Sequence, residues 1–282
     1  NPFDTTNSLK SDMAKKYNDV LNKTDGTPSS RLGYPMHFSP DGKTLFFTDN
    51  ELGDPNLVMM DMDSGDVTIL SEIFTDLWFD MNPAGDTLVF VKKIGHGTAI
   101  FSLPLDSSAA AIRLSYETDP RNPVFSVDGS LVVYTARDMF GSKNLYTIQP
   151  DGSAYKKVTS FNDPADAVVP VGITTLESSI LYVMPSQTIK NQFEIWSITL
   201  DGSSDQFLTV CTLEADDHPK ISPNGEKVLY QRDHNIWIMN IDGSEQVRLT
   251  DFPSGHLAYH GQYSPSGSHI VYIHRIGKWG AE

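Results

Sequence analysis

A four-residue string, Ser39-Pro40-Asp41-Gly42, returns in altered form along most of the chain. Its copies begin at Asn82 (NPAG), Ser126 (SVDG), Ser222 (SPNG) and Ser264 (SPSG). Their spacing is 42 to 44 residues, except for a gap of 96 between Ser126 and Ser222. That gap is two periods of 48, so a further copy is expected at Thr174, where the string reads TTLE and has lost its glycine. Self-similarity at this period belongs to architectures in which one unit cannot bury its faces alone and must lean on its neighbours.

The segment after each string carries the stronger signal. Eight residues past its start stand Phe47, Phe90, Tyr134, Tyr182, Tyr230 and Tyr272, and two residues before those stand Leu45, Leu88, Val132, Ile180, Val228 and Ile270. Aromatic and branched residues between turn signals read as buried strands, and Asp-Gly or Asn-Gly suits the tight hairpin that opens them. A third strand follows at Leu57–Met60, Ala99–Leu103, Asn144–Ile148, Glu194–Thr199 and Asn235–Asn240. A fourth closes on Leu70, Leu114, Val158, Leu208 or Leu249, usually followed by Ser or Thr. Four antiparallel strands per period make a propeller blade. The expected fold is therefore all-β, a six-bladed β-propeller of four-stranded antiparallel blades. The blades fall at residues 34–72, 76–117, 119–161, 166–210, 215–252, and 255–282 together with 1–24. The last pairing is expected because the sixth copy runs out at Glu282 after two strands, while Asn18–Thr24 matches the fourth-strand segment Glu245–Thr250. An N-terminal strand would then close the ring and remove an open edge. In residues 1–15, Leu9 starts a third strand or Asp12 caps a short helix bearing Met13, Tyr17 and Leu21.

The phrases SPDGKTLFFTDN…NLVMMDMDSGDVTIL and SPNGEKVLYQRDHNIWIMNIDGSEQVRLTDF resemble the TolB-type repeat, a WD-like propeller repeat, over roughly residues 16–282. The resemblance implies a bacterial periplasmic or secreted protein with an envelope protein or peptide as partner. The N-terminal domain usual in that family is absent from this sequence. The same repeat serves transport partners, peptidase accessory domains and some lyases, so it speaks to fold before function.

Charge narrows the partners. A formal net charge of −15 repels phosphate backbones and anionic membrane surfaces, so neither nucleic acid nor a lipid bilayer is expected as a partner. No apolar run approaches the ~20 residues that span a bilayer, so no membrane insertion is expected. The lone Cys211 allows no internal disulfide, and the start at Asn1 without methionine reads as a processed or trimmed chain. A monomer is expected. There is no G-x-S-x-G, H-E-x-x-H, P-loop or C-x-x-C pattern, and Gly95-His96-Gly97 lacks the third glycine of a dinucleotide loop. Asp61–Asp66 with Glu72 echoes a calcium loop, but its glycine stands at the fifth position rather than the sixth, and an Asp/Gly turn accounts for it. No catalytic residue is assigned.

In a meander blade the second-to-third loops and the interblade connections share one face, and here they are the longer and more varied ones. Function tends to reside on such loops. Four residues before each string the chain places Pro35, Trp78, Asn122, Pro170, His218 and His260. Nearby lie Tyr34, Asp76, Arg121, Asp216, Asp217, His256 and Tyr259. The expected ligand mouth is Trp78, Arg121, Asn122, Asp216, Asp217, His218, Tyr259 and His260: aromatic surface, a cation and imidazoles, with no nucleophile–base pair. Packing of Trp78 and Tyr259 between blades, with solvated charges at the rim, is the structural alternative. The leading expectation is non-enzymatic recognition of a protein, peptide or glycan, with no cofactor. The rival is a metal-dependent oligosaccharide lyase. Propeller oligogalacturonate lyases, which this repeat also resembles, hold a divalent metal with histidines at the positions of His218 and His260. Asp216 and Ala258 occupy the upstream position of a further histidine, leaving Asp216 or His256 to complete the set. Arg121, Arg232 and Arg275 would make such a mouth locally basic for an acidic sugar.

Overall fold

The computed structural model describes residues 32–49, 56–71, 78–106, 110–162, 168–174, 178–189, 192–212, 219–264 and 266–276. The chain divides into two compact units, Asn1–Trp78 and Phe79–Glu282. The first holds one antiparallel sheet in meander order: β1 (Leu32–Phe38), β2 (Thr44–Asp49), β3 (Asn56–Asp61) and β4 (Val67–Ser71). The second holds four more sheets of the same kind. They are β5 (Phe79–Met81), β6 (Thr87–Ile94), β7 (Gly97–Pro104), β8 (Ile112–Arg113); β9 (Thr118–Phe125), β10 (Val132–Arg137), β11 (Lys143–Ile148), β12 (Lys156–Lys157); β13 (Val169–Thr174), β14 (Ser179–Pro185), β15 (Phe193–Thr199), β16 (Asp205–Cys211); and β17 (Lys220–Ile221), β18 (Lys227–Arg232), β19 (Asn235–Asn240), β20 (Val247–Arg248). A two-stranded sheet, β21 (His256–Tyr263) with β22 (Ile270–Ile276), follows. Within this unit the first strands β5, β9, β13, β17 and β21 each touch the next, as the inner strands of a propeller do.

The recurring string folds because its own side chains close it. Ser39 Oγ donates to Asp41 Oδ1 (2.6 Å) and accepts from Thr44 N (2.9 Å), while Lys43 N donates to Asp41 Oδ1 (3.0 Å). Ser126 with Asp128 and Ser222 with Asn224 repeat the arrangement. In NPAG, Asn82 Oδ1 takes over the serine's accepting role toward Thr87 N (3.1 Å). At Thr174 the hairpin persists without the glycine: Thr174 pairs with Ser179, and Ser178 supplies a left-handed backbone at φ 49°.

A second local device explains the Ser or Thr after the fourth strand. Thr159 Oγ1 donates to Asn144 Oδ1 (3.0 Å) and accepts from Leu145 N (2.9 Å), while Phe161 N also donates to Asn144 Oδ1 (2.7 Å). Thr250, Asn235, Ile236 and Phe252 do the same in the next-but-one blade. The pair pins the exit of the fourth strand to the third strand, so buried backbone groups find partners where the ladder stops.

The core lies between sheets. Val89, Val91, Ile100 and Leu114 pack on Phe125, Val132, Tyr134 and Tyr146 of the next blade. Val133, Leu145 and Val158 pack on Ile173, Ile180, Tyr182 and Ile198. Leu181, Val183, Ile195 and Leu208 pack on Val228, Tyr230 and Met239. The first unit has a smaller core of Leu45, Phe47, Val58 and Met60. Five of the six aromatic positions are buried, Phe47, Phe90, Tyr134, Tyr182 and Tyr230. Burial pushes the hydroxyls of Tyr134 and Tyr182 well above the ordinary tyrosine range.

Two expectations change. The chain forms five four-stranded blades, not six, because the sixth copy is a two-stranded sheet among the described residues. With no third strand on β22 among the described residues, Val271 is 67% exposed and Tyr272, the sixth aromatic, 38%. Leu249, which closes the preceding blade, is 44% exposed, whereas its counterpart Val158 is buried against the third strand of the following blade. The expected closing strand Asn18–Thr24 lies outside the described residues, as do Leu9, Asp12, Met13, Tyr17 and Leu21.

Candidate functional site

In four copies the position four residues before the string coincides with an irregularity in the first strand of its blade, whereas β5 pairs with β6 without a shift. Opposite β2, the β1 register shifts between Gly33 and His37, around Pro35. β5 begins directly after Trp78. In β9 two residues of β10 span Arg121–Val124, three residues of chain, and a second shift follows at Arg121–Thr118. β13 carries an extra residue between Pro170 and Gly172, and β21 one between Tyr259 and Gln262. Each extra residue lies on the first strand, never on its partner. A bulge bends the strand and re-aims the side chain that would otherwise alternate. Asn122 (φ 53°) and His260 (φ 54°) hold the left-handed backbone that this requires. Asparagine tolerates it locally, but for histidine it is an uncommon conformation of the kind that gathers at functional sites.

Blade by blade, the bulges display different chemistry. On β9, Arg121 Nε donates to Asp119 Oδ1 (2.8 Å), and Arg137 Nε faces Asp119 Oδ2 at 3.5 Å. Two guanidiniums share one carboxylate, so this patch stays locally basic on an acidic chain. All three side chains are about one-third exposed, which leaves the pairs screened and the charges within a ligand's reach. Thr135 Oγ1 donates to Arg121 O (3.3 Å) and braces the bulge. Beside it the β10–β11 loop is held hard. Asp138 Oδ1 accepts from Phe140 N (2.9 Å) and Ser142 N (3.1 Å), and Arg137 Nη1 donates to Gly141 O (2.6 Å). Lys157 Nζ donates to Asp138 Oδ2 (2.9 Å) and, foremost among several causes, holds that carboxyl below the usual range. The loop presents Met139 and Phe140, 90% and 80% exposed. Sequence reading passed over this pair. Its signal was two apolar residues between Asp138 and Gly141 in a loop otherwise polar.

On β21, Tyr259 and His260 are half-buried with ring centroids 5.0 Å apart. His256 stands at the strand's start and is engaged by His274 of β22, Nδ1 to Nε2 at 2.9 Å. The expected residues thus gather in two places on different blades, Arg121 with Asn122 and Tyr259 with His260. β9 packs on β5, β6, β7, β10 and β13, and β21 on β17, β18, β19 and β22. Trp78, half-buried, belongs to the other compact unit. Asp216, Asp217, His218 and Asp76 lie outside the described residues. Arg232 is used elsewhere: its guanidinium lies 3.6 Å over the Trp237 ring and donates to Gln246 Oε1 (3.0 Å) and Thr209 Oγ1 (3.2 Å). Arg275 is an exposed residue of β22. Among the described residues no group of three or more His, Cys, Asp or Glu is placed to hold a metal, and no helix is long and apolar enough to cross a membrane.

This architecture has solved counterparts. The chain superposes on TolB from Acinetobacter baumannii with a TM-score of 0.58 at 19% identity, over 78% of this chain and 54% of that one. On a protein of Agrobacterium tumefaciens assigned as TolB the TM-score is 0.62 at 18% identity, over 88% and 91%. The fold is that of a TolB-like β-propeller. The chain spans about half the length of the Acinetobacter protein. An oligogalacturonate lyase in complex with manganese matches with a TM-score of 0.61 at 15% identity, over 86% of this chain and 74% of the lyase. In sequence, an uncharacterized protein of Agrobacterium fabrum is 26% identical over 263 residues, 84% of this chain and 83% of the relative. No family model matches the chain.

Proposed function

We propose that this TolB-like propeller is a non-enzymatic binding scaffold. It takes a protein, peptide or glycan partner at the loop-bearing ends of its first strands, in the periplasm or outside the cell. The observation that carries the reading is the recurrent bulge. Blades that share turns and core differ in the residue displayed at one irregular position, which is Pro35, Asn122, Pro170 or His260. A scaffold whose repeats share their turns and core but vary at a bulged rim position can present varied side chains from a rigid base. The Asp119–Arg121–Arg137 group would meet a carboxylate or a hydroxyl-rich ligand, and Met139 with Phe140 would supply the apolar contact that hot spots use. The lyase reading needs Asp216 and His218, and its substitute ligand His256 is occupied by His274.

The test begins with a partner recovered from a glycan array or an envelope pull-down, and measures its binding by calorimetry. Arg121→Ala and Phe140→Ala should each weaken binding about tenfold or more, a loss of about 1.4 kcal/mol or greater, with the melting temperature nearly unchanged. Variants that bind like the parent would move the site off this face.

A further inference from the structure

A second segment extends the apolar surface that Met139 and Phe140 begin. Residues 114–117 connect β8 to β9, and Thr118 of β9 pairs with Arg137 of β10. The connection therefore enters β9 at the end of the sheet where the β10–β11 loop leaves β10. Tyr116, on that connection, is 75% exposed, and Met139 and Phe140 stand out from the loop. Both segments are held in place. Tyr116 N donates to Glu117 Oε2 (3.1 Å), and the same oxygen accepts from the hydroxyl of buried Tyr134 (3.1 Å). Arg113 Nε donates to Ser115 O (2.9 Å), and its guanidinium lies 4.4 Å over the Tyr116 ring. Asp138 closes the loop through Phe140 N and Ser142 N. Exposed apolar side chains on a fixed backbone lose little freedom when a partner covers them, which favours binding.

We infer that this surface recognises a protein segment in which large apolar side chains stand beside carboxylates. The inference rests on the scaffold function proposed above and fixes its partner class. Composition favours a protein, because Tyr, Phe, Met and Arg are the residues enriched in protein interfaces. Stacking on a sugar uses an open aromatic face, yet one face of Tyr116 is covered by Arg113, and Met139 has none to offer. Charge favours an acidic segment. The net charge of the chain is −15, but here Lys157 and Asp138 offset each other, and Arg113, Arg121 and Arg137 stand against Glu117 and Asp119. Both of those carboxylates are engaged, Glu117 by Tyr134 and Asp119 by Arg121 and Arg137. Asp119 offers about four lone-pair sites to the roughly ten N–H donors of its two guanidiniums, so donor capacity is in surplus. An incoming carboxylate would meet that surplus in short, directional, charge-assisted hydrogen bonds.

The experiment selects a phage library of random dodecapeptides on the full chain and measures the winning peptides, made synthetically, by calorimetry. Winners should combine Asp or Glu with Leu, Phe, Trp or Met, and should bind more weakly as salt rises from about 0.05 M to about 0.5 M. Tyr116→Ala, Phe140→Ala and Arg113→Gln should each weaken them about tenfold or more, with the thermal midpoint nearly unchanged. Phe207→Ala, which removes an exposed aromatic of β16, should bind them like the parent. Oligogalacturonate is the second probe. Affinity for it that exceeds the peptides' and falls in the same variants would overturn the protein class in favour of an acidic glycan. Basic winners, or winners indifferent to all three substitutions, would also overturn the inference while leaving the scaffold reading to its own test. A library that yields no winner overturns both.

Discussion

Gly202 and Gly42 occupy similar turns, yet they bear different loads. Both hold a left-handed backbone, at φ 77° and 70°. A Cβ at Gly42 would meet nothing within 4 Å, whereas one at Gly202 would sit 2.2 Å from Val158 O of the preceding blade. Gly42→Ala should cost on the order of 1 kcal/mol, the backbone penalty alone. Gly202→Ala must also push two blades apart, so urea unfolding should show it to be clearly the worse of the two. Asn235 offers a second contrast. Its Oδ1 serves both Thr250 Oγ1 and Phe252 N, so Asn235→Ala strands two buried donors and should cost on the order of 1–3 kcal/mol. Phe90→Ala empties a packed core and should cost about 3–5 kcal/mol, while Tyr272→Ala, half in solvent already, should cost far less. Equal costs at Phe90 and Tyr272 would mean that β22 is covered as fully as β6.

At the level of strands, one group of exposed apolar residues lies on the last two sheets. Val247 of β20 and Leu249 just after it are exposed, as are Val271, Ile273 and Ile276 on β22, the second strand of a sheet that has only two strands among the described residues. We propose that the N-terminal segment through Thr24 supplies that cover, as its likeness to Glu245–Thr250 suggests. Deleting residues 1–24 should then lower the thermal midpoint by many degrees and increase dye binding to apolar surface. An unchanged midpoint would refute the pairing. Strands two and three were legible in the sequence because their signals are short-ranged: Ser, Asp and Gly close a turn by themselves, and a buried strand alternates visibly. The bulges of the first strands were not. A bulge is a mismatch of count between two strands, and neither strand alone records it. Gly172 and Gly261, one or two residues past the rim position, were the traces available. The rim residues were legible as types, but which of them share a neighbourhood depends on the packing of blades and was not. The clamp of Asn144 with Thr159 was visible only as an unexplained preference for Ser or Thr.

For the whole molecule, charge sets how stability follows pH. The turn carboxyls of Asp41, Asp128, Asp151, Asp201 and Asp242 are each held below the ordinary aspartate value of 3.8, in each case chiefly by a neighbouring serine hydroxyl: Ser39, Ser126, Ser153, Ser203 and Ser244. A lowered value in the fold means that the stabilisation is present above the unfolded value and is lost as pH falls through the folded one. Between neutrality and the isoelectric point near 4.8, the net charge of −15 is relieved, which favours the compact state. The thermal midpoint should hold or rise down to about pH 5 and fall steeply below about pH 4. Replacing Asp128 and Asp201 with Asn should flatten the acid limb, and an unaltered limb would show that these turns do not govern it.

Because the SPxG-type turns at Ser39, Asn82, Ser126 and Ser222 are closed by side chains of their own, the exposed loop tips at the opposite ends of the strands carry less of the duty to hold each hairpin in register. Evolution and engineering therefore meet few constraints there. Randomising Met139 and Phe140, 90% and 80% exposed, should change what the protein displays without changing how it folds. A library built at those positions, grown from one stable parent, should yield folded members with unrelated binding preferences, much as grafted loops do on an antibody sandwich.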